Sequence, residues 1–237
     1  MKKILFILSS FIALTAGAQT AEEIIQKYSA NIGGLEGYTK AKTAKLSGTI
    51  SVQGNELPIT VQIVNGKSVR SDIDAMGTMI ISVYNNGKGW KQNPFAGATT
   101  PTDVTGGELN ELKSQSFLAP SLMDYKGRGH QVELLGQEDV EGTKAFKLKL
   151  TNKDDTKVTT YYIRTSDYLV IKSETERDMG GQSMVVETWY SDLKEVEGLK
   201  FFTTRTMKAG GQEFQAIKFD SIVLNGSVDE KIFDMPR

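Results

Sequence analysis

Cysteine is absent from the chain, and histidine occurs once, as His130. Disulfides, thiolate metal sites, Cys–His nucleophilic pairs and His-rich or Cys-rich zinc sites are excluded by those two counts. There is no G-x-S-x-G elbow, no G-x-x-x-x-G-K-S/T loop and no dinucleotide glycine fingerprint, so the recognisable motifs of serine hydrolases, P-loop proteins and Rossmann enzymes are missing too. His130 reads as a turn or surface residue. Proline is scarce, at five residues, and neither a repeat of fixed period nor a long linker divides the chain. No excess of one charge marks a nucleic-acid footprint.

The first residues have the order of a cleavable secretory signal. Lys2 and Lys3 precede an apolar run at 4–14 and then Ala16-Gly17-Ala18. The run is 11 residues long, well short of the roughly 20 that span a bilayer as a helix. Residues 1–18 are therefore expected to be removed, leaving residues 19–237 as one domain that begins at Gln19. Without Lys2 and Lys3 the 28 basic residues become 26, against 29 acidic ones, a net charge of −3. With no cysteine to acylate, the expected product is a free, soluble, exported protein, held together by core burial alone. No cofactor, metal or nucleic acid is implied, and a monomer is expected.

Glycine-centred turns punctuate the rest of the chain, at Gln53-Gly54-Asn55, Asn65-Gly66, Asn86-Gly87, Glu141-Gly142, Gly180-Gly181, Glu197-Gly198 and Gly210-Gly211. Their close spacing calls for hairpins, hence an antiparallel meander. Between them the period is two: Ala44, Leu46, Gly48, Ile50 and Val52 alternate with polar neighbours, as do Leu57, Ile59, Val61 and Ile63, then Met79, Ile81 and Val83. Five strands precede a loop at 95–104. Seven follow Gly129, at 132–137, 144–150, 158–164, 168–176, 183–192, 199–207 and 214–224. The fold expected is mainly β with a helical lid: a curled antiparallel sheet of about 11–12 strands forming a half-open barrel.

Two helices interrupt the pattern. Thr20-Ala21-Glu22-Glu23 has capping-box spacing and is followed by Ile24, Ile25, Tyr28 and Ile32 on one face, with Gly33-Gly34 as the stop. Thr105-Gly106-Gly107-Glu108 repeats the spacing ahead of Leu109, Leu112, Phe117 and Leu118, and Pro120 ends regular helix nearby. Helices this short are marginal alone and must dock on the sheet. The two glycines cost the second helix up to about 1 kcal/mol each relative to alanine.

Candidates for catalysis are few. Asp72 with Asp74 could share one face of a strand and Asp154 with Asp155 form a turn pair, but adjacent acids in a Lys-Asp-Asp-Thr segment belong more often to a solvated turn, and neither pair has the oxygen-ligand run of a calcium loop. The apolar face is more informative. Leu46, Ile50, Ile59, Val61, Ile81, Phe146, Leu148, Met184 and Phe201 would line the concave side of a curled sheet, with Ile25, Leu109, Leu112 and Phe117 as a lid. These side chains either fill one another as an ordinary core or line a cavity that the lid exposes, since about twelve strands enclose more than side chains alone fill. An apolar cavity in an exported protein without catalytic motifs suits a lipid acyl chain.

The layout resembles the LolA-type outer-membrane lipoprotein carrier superfamily. The resemblance rests on the signal, the first helix at Ala21-Glu22-Glu23-Ile24-Ile25 and the Leu46-Ser47-Gly48-Thr49 first strand. It rests also on the hairpin from Tyr161-Tyr162-Ile163 to Tyr168-Leu169-Val170-Ile171 and on the closing Val228-Asp229-Glu230-Lys231-Ile232-Phe233-Asp234-Met235-Pro236. It implies an incomplete barrel lidded by helices, a periplasmic location and non-catalytic shielding of lipoprotein acyl chains between membrane-associated donor and acceptor proteins. The chain departs from the pattern at Gly66-Lys67-Ser68-Val69-Arg70, where a basic residue followed by proline is expected and Arg70 is a loose match. The same scaffold also suits a periplasmic sensor or protein-interaction module with a filled core, because fold alone does not fix function.

Overall fold

The structure, a computed structural model, describes residues 19–52, 54–178 and 181–236. The expected signal segment lies outside them. Helix α1 (Ala21–Asn31) begins with the capping box in place: the Glu23 amide donates to Thr20 Oγ1 at 3.2 Å and the Thr20 amide to Glu23 Oε2 at 2.8 Å. Past Ile32 the chain turns at Gly33 and starts again as α2 (Gly34–Lys40), a helix absent from the sequence reading. Its glycines hid it, and tertiary contact explains them. A Cβ on Gly33 would lie 2.6 Å from the Gly198 carbonyl oxygen, and one on Gly37 would lie 2.6 Å from the Leu199 side chain. The backbone of this turn and helix lies against the Gly198-Leu199 turn: a side chain at Gly33, whose φ is +113°, would meet backbone, and one at Gly37 would displace the Leu199 side chain.

Six strands follow: β1 (Thr43–Val52), β2 (Asn55–Val64), β3 (Ser68–Ala75), β4 (Thr78–Asn85), β5 (Lys88–Asn93) and β6 (Ala98–Val104). After helix α3 (Gly106–Gln115) come β7 (Gln131–Val140), β8 (Thr143–Thr151), β9 (Val158–Arg164), β10 (Val170–Asp178), β11 (Ser183–Val196), β12 (Leu199–Ala209) and β13 (Gln212–Leu224). They form one antiparallel sheet of 13 strands in the order β6-β5-β4-β3-β2-β1-β13-β12-β11-β10-β9-β8-β7. The strand missing from the expected count is β6, in the segment read as loop. It is an edge strand, where Pro101 costs no ladder hydrogen bond. The sheet curls without closing, so β6 and β7 remain its two edges.

Curling has local causes. Where β1 meets β13 the register shifts between Ser47 and Gly48, and a Cβ on Gly48 would sit only 1.9 Å from the Lys218 carbonyl oxygen. A bulge bends the strand and increases its twist, and glycine permits the close backbone approach. Further shifts interrupt the β7–β8 and β9–β10 ladders.

The concave side holds the main core. Ile24, Ile25 and Tyr28 of α1, Ile32 at its C-terminal cap and Tyr38 of α2 pack with Ala44, Ile63, Val69, Tyr84, Phe146, Leu148, Ile163 and Ile222 of the sheet. On the convex side a 3-10 turn, Glu230–Phe233, buries Phe233 against Val83 and Trp90. Trp90 Nε1 donates to the Phe233 carbonyl at 3.0 Å and Arg70 Nη1 to the Ile232 carbonyl at 2.6 Å. Arg70 also pairs with Asp72 at 2.8 Å. Arg70 is thus a clamp for the C-terminal segment on the outer face, far from the cover helices in its contacts.

Candidate ligand-binding face

The cover is built from α1, α2, α3 and the irregular segment 116–130, and each part is tied to the sheet at its periphery. Helix α1 is held along its length by the β9–β10 turn. Gln19 and Lys27 donate to Tyr168 Oη at 2.9 and 3.1 Å, and Asn31 donates to the Asp167 carbonyl at 2.6 Å. Tyr168 in turn stacks on Phe146, their ring centroids 5.8 Å apart. Helix α2 is anchored by Tyr38, whose hydroxyl donates to the Lys200 carbonyl at 2.5 Å and whose ring meets Phe201 edge-on at 5.4 Å.

Asn65, in one of the turns read from sequence, joins two pieces of the cover. Its Nδ2 donates to the Tyr38 and Ala41 carbonyls, both at 2.8 Å, and its Oδ1 accepts from the Leu118 amide at 3.0 Å. Arg128 organises the irregular segment in a similar way. It donates to Ser121 Oγ at 2.9 Å and to Asp124 at 3.3 Å, reaches the Ala119 carbonyl, and lies 4.2 Å from the Phe117 ring centroid. Burial lowers its pKa below the usual arginine value, with the Asp124 carboxylate opposing. Neither residue stands out in the sequence, because nothing in a turn or a loop shows which distant carbonyls it will meet.

Helix α3 lies as a strap between the two halves of the open sheet. Glu108 pairs with Lys91 of β5 at 2.7 Å, Glu111 with Arg177 of β10 at 2.5 Å and Lys157 at 3.9 Å, and Lys113 with Asp154 at 2.6 Å. Its predicted capping box is not formed: Thr105 makes no side-chain cap, and Glu108 is engaged by Lys91 instead. The helix ends at Gln115, so Phe117 lies in the segment that follows. Leu109 and Leu112 face the main core.

The residues expected to line the concave face fall into four groups. Leu46, Val61, Phe146, Leu148 and Phe201 share the main core with Ile25, Leu109 and Leu112 of the cover. Ile50 and Ile59 form a second cluster with Phe219, flanked by Leu57, Ile73 and Ile217. Met184 is 36% exposed at the start of β11. Ile81 is a correction. It packs with Val83, Trp90 and Phe233 on the convex side, whereas Tyr84, on the opposite face of the same strand, joins the main core. The period-two pattern is right there, but which face is concave is not written in β4. Beside the cover, a groove of about 380 Å³ runs between α1 and residues 123–127, with Ile25, Leu35, Met123 and Tyr125 among its walls.

The candidate catalytic groups have structural partners. His130 Nδ1 accepts from the Lys153 amide at 3.2 Å, and burial, then the Arg128 charge, pulls its pKa below the usual value. Asp72 pairs with Arg70, Asp74 caps the turn at Gly77, and Asp154 pairs with Lys113, whose hydrogen bond lowers the Asp154 pKa.

Burial also raises the pKa values of Tyr28, Tyr38 and Tyr161 well above that of free tyrosine. The unfolded chain would lose these protons near pH 10, while the folded one keeps them, so the unfolded state binds fewer protons above that pH. Stability is fully present below about pH 10 and falls above it, by up to about 1.4 kcal/mol per pH unit for each tyrosine. Denaturant titrations at pH 9, 10 and 11 should show this loss, and replacement of Tyr38 with phenylalanine should make it shallower.

Neither a family model nor a curated protein matches the sequence. Solved structures match it in fold. A LolA superfamily protein from Nitrosomonas europaea superposes with a TM-score of 0.60 at 15% identity, covering 92% of this chain and 98% of its own. The chain has the LolA fold. A DUF1329 family protein from Desulfovibrio piger gives the same TM-score at 12% identity, with 92% and 98% of the two chains covered. A domain from Vibrio parahaemolyticus named for outer membrane lipoprotein sorting gives 0.60 at 12% identity, over 91% and 96%. The curled sheet with its helical cover, expected from the residue patterns, is therefore the LolA architecture, here with 13 strands.

Proposed function

We propose that this protein is a non-catalytic periplasmic carrier that shields an acyl chain between the concave face of its sheet and its helical cover, with sorting of outer-membrane lipoproteins as its role. The observation that carries this reading is the way the interior is filled. The concave face is covered by apolar side chains of α1, α2 and α3, while the polar ties of those helices sit at their margins. The Lys91–Glu108 pair is exposed, and such pairs are worth about 0–1 kcal/mol each; the Arg177–Glu111 pair is half-buried. A cover held so weakly at its margins can lift and hand its place on the sheet to an acyl chain. The fold supports the reading, since one protein with this architecture is named for outer membrane lipoprotein sorting. Export follows from the signal-like residues 1–18, and among the described residues no helix is long and apolar enough to cross a membrane.

The test is native mass spectrometry of protein purified without detergent, followed by hydrogen exchange with and without oleate. Co-purified lipid is expected. Amides of α3 should exchange faster than those at 146–150 of β8 in the free protein and should change when oleate binds. Gly107 has open space around it and no positive φ, whereas Gly106 sits at φ +61°. Gly107→Ala should stiffen the strap by up to about 1 kcal/mol and slow oleate entry, and Gly106→Ala should bring no such gain. Absence of co-purified lipid and of oleate uptake, with α3 protected as well as β8, would instead identify a filled-core interaction module.

A further inference from the structure

Arginine is the least numerous charged residue type in this chain, and its placement is selective. Of the five described arginines, four hold a carboxylate: Arg70 with Asp72 at 2.8 Å, Arg128 with Asp124 at 3.3 Å, Arg164 with Asp167 at 2.5 Å and Arg177 with Glu111 at 2.5 Å. Arg205 has no carboxylate within 4 Å among the described residues, although it sits in the middle of β12 in the centre of the sheet.

The strand register fixes its side. Arg205 pairs with Ile217 of β13, and Ile217 pairs with Ile50 of β1, which pairs with Leu57 of β2. Cross-strand partners point to the same face of a sheet, so Arg205 projects from the concave floor, in line with the apolar cluster of Ile50, Ile59 and Phe219. It is exposed there, so the cover leaves this part of the floor open. Tyr190 is its cross-strand partner on β11, and its charge acts on Tyr161 of β9 and on Tyr28 of α1. Among the described residues neither Tyr28 Oη nor Tyr161 Oη has a hydrogen-bond partner, while Tyr190 Oη is shared with Ser173 Oγ at 3.0 Å.

We infer that Arg205, with the hydroxyls of Tyr28 and Tyr161, is a head-group site for the oxyanion of an acyl amphiphile, a carboxylate or phosphate, whose tail lies along Ile217, Ile50 and Leu57. This rests on the acyl-chain reading above and names the ligand class: anionic amphiphiles rather than neutral ones. A guanidinium offers a planar fork of donors that matches carboxylate and phosphate. Covering it with an apolar tail would be costly unless an anion arrived with that tail. The phenols, kept protonated by burial, are donors to such an anion and do not compete with it for charge. At about 4.8 Å per strand, the row from Arg205 to Leu57 spans roughly 14 Å of floor, enough for much of an extended acyl chain.

The experiment compares oleate, lysophosphatidate, oleyl alcohol and inorganic phosphate on the purified protein and on Arg205→Gln and Arg205→Lys, with circular dichroism as the check on folding. Oleate or lysophosphatidate is expected to bind at least tenfold more tightly than oleyl alcohol. The stronger of the two tells whether the head group is a carboxylate or a phosphate. Arg205→Gln should weaken the anionic lipid about tenfold and leave oleyl alcohol unchanged, and Arg205→Lys should keep most of the preference. Equal binding of oleate, lysophosphatidate and oleyl alcohol to the protein and to Arg205→Gln would overturn the head-group site while the acyl-chain reading stood. Displacement of oleate by millimolar inorganic phosphate would overturn it in favour of a free-anion site. If no lipid binds at all, the acyl-chain reading fails and this inference fails with it.

Discussion

Replacing Leu148 with alanine should lower the unfolding free energy by about 2–5 kcal/mol, as large-to-small changes in a packed core do. Leu148 is 0% exposed and belongs to the cluster that also contains Ile24, Ile25 and Leu122 of the cover. The lost side chain leaves a void between sheet and helices, and how far α1 and residues 118–123 can settle into it decides where in that range the cost falls. Met184→Ala is the matched control. Both residues are candidate floor positions, but Met184 stands at the exposed start of β11, and its loss should change stability by no more than about 0.5 kcal/mol. Denaturant midpoints of the two variants measure the difference directly. Equal losses would mean that the concave face is not packed against its cover as described. Because the void lies beneath the lid, Leu148→Ala should also leave oleate uptake intact, provided that the variant is folded.

Gly48→Ala should be as damaging for a different reason, at about 3 kcal/mol, although it adds a single methyl group. That carbon would fall 1.9 Å from the Lys218 carbonyl oxygen and 2.8 Å from the Phe219 Cα, so β1 and β13 must separate at the bulge. These two strands join the halves of the sheet, and the damage should appear as a loss of hydrogen-exchange protection along both. Gly226→Ala is the comparison, since the added carbon there would meet only a Val223 methyl at 3.8 Å, an ordinary contact. A Gly48→Ala protein as stable as the Gly226→Ala protein would show that the bulge is not what brings these backbones together.

The sheet was legible because its signals are local. A strand with one buried face announces itself by alternation, and a hairpin by its turn residues. Strand β8, with Phe146, Leu148 and Leu150 inward and Lys147 and Lys149 outward, needed nothing else. The capping box of α1 is likewise contained in four residues. Strand β6 was lost because Pro101 and its small neighbours look like loop, and only its position at the sheet edge makes proline harmless there. Helix α2 was lost because Gly33 and Gly37 meet the Gly198-Leu199 turn from the far side of the sequence.

The candidate site divides along the same line. Period and turn chemistry were enough to establish an antiparallel, curled, apolar-faced sheet with helices to cover it, since each depends on residues within a few positions of one another, and the absence of cysteine beside a single histidine excluded thiolate and His-rich metal sites. Which face each strand turns inward, where the strap helix lands and which of the described arginines is left without a carboxylate depend on residues distant in sequence, in several cases more than a hundred positions apart. Ile81 joins Phe233 on the convex side, Glu22 on α1 meets Lys126, and Arg205 is close enough for its charge to act on Tyr28. Those pairings follow from how the sheet curls and where its edges end, and the energy that selects them is shared over the whole packed interface, so no short stretch of sequence carries it.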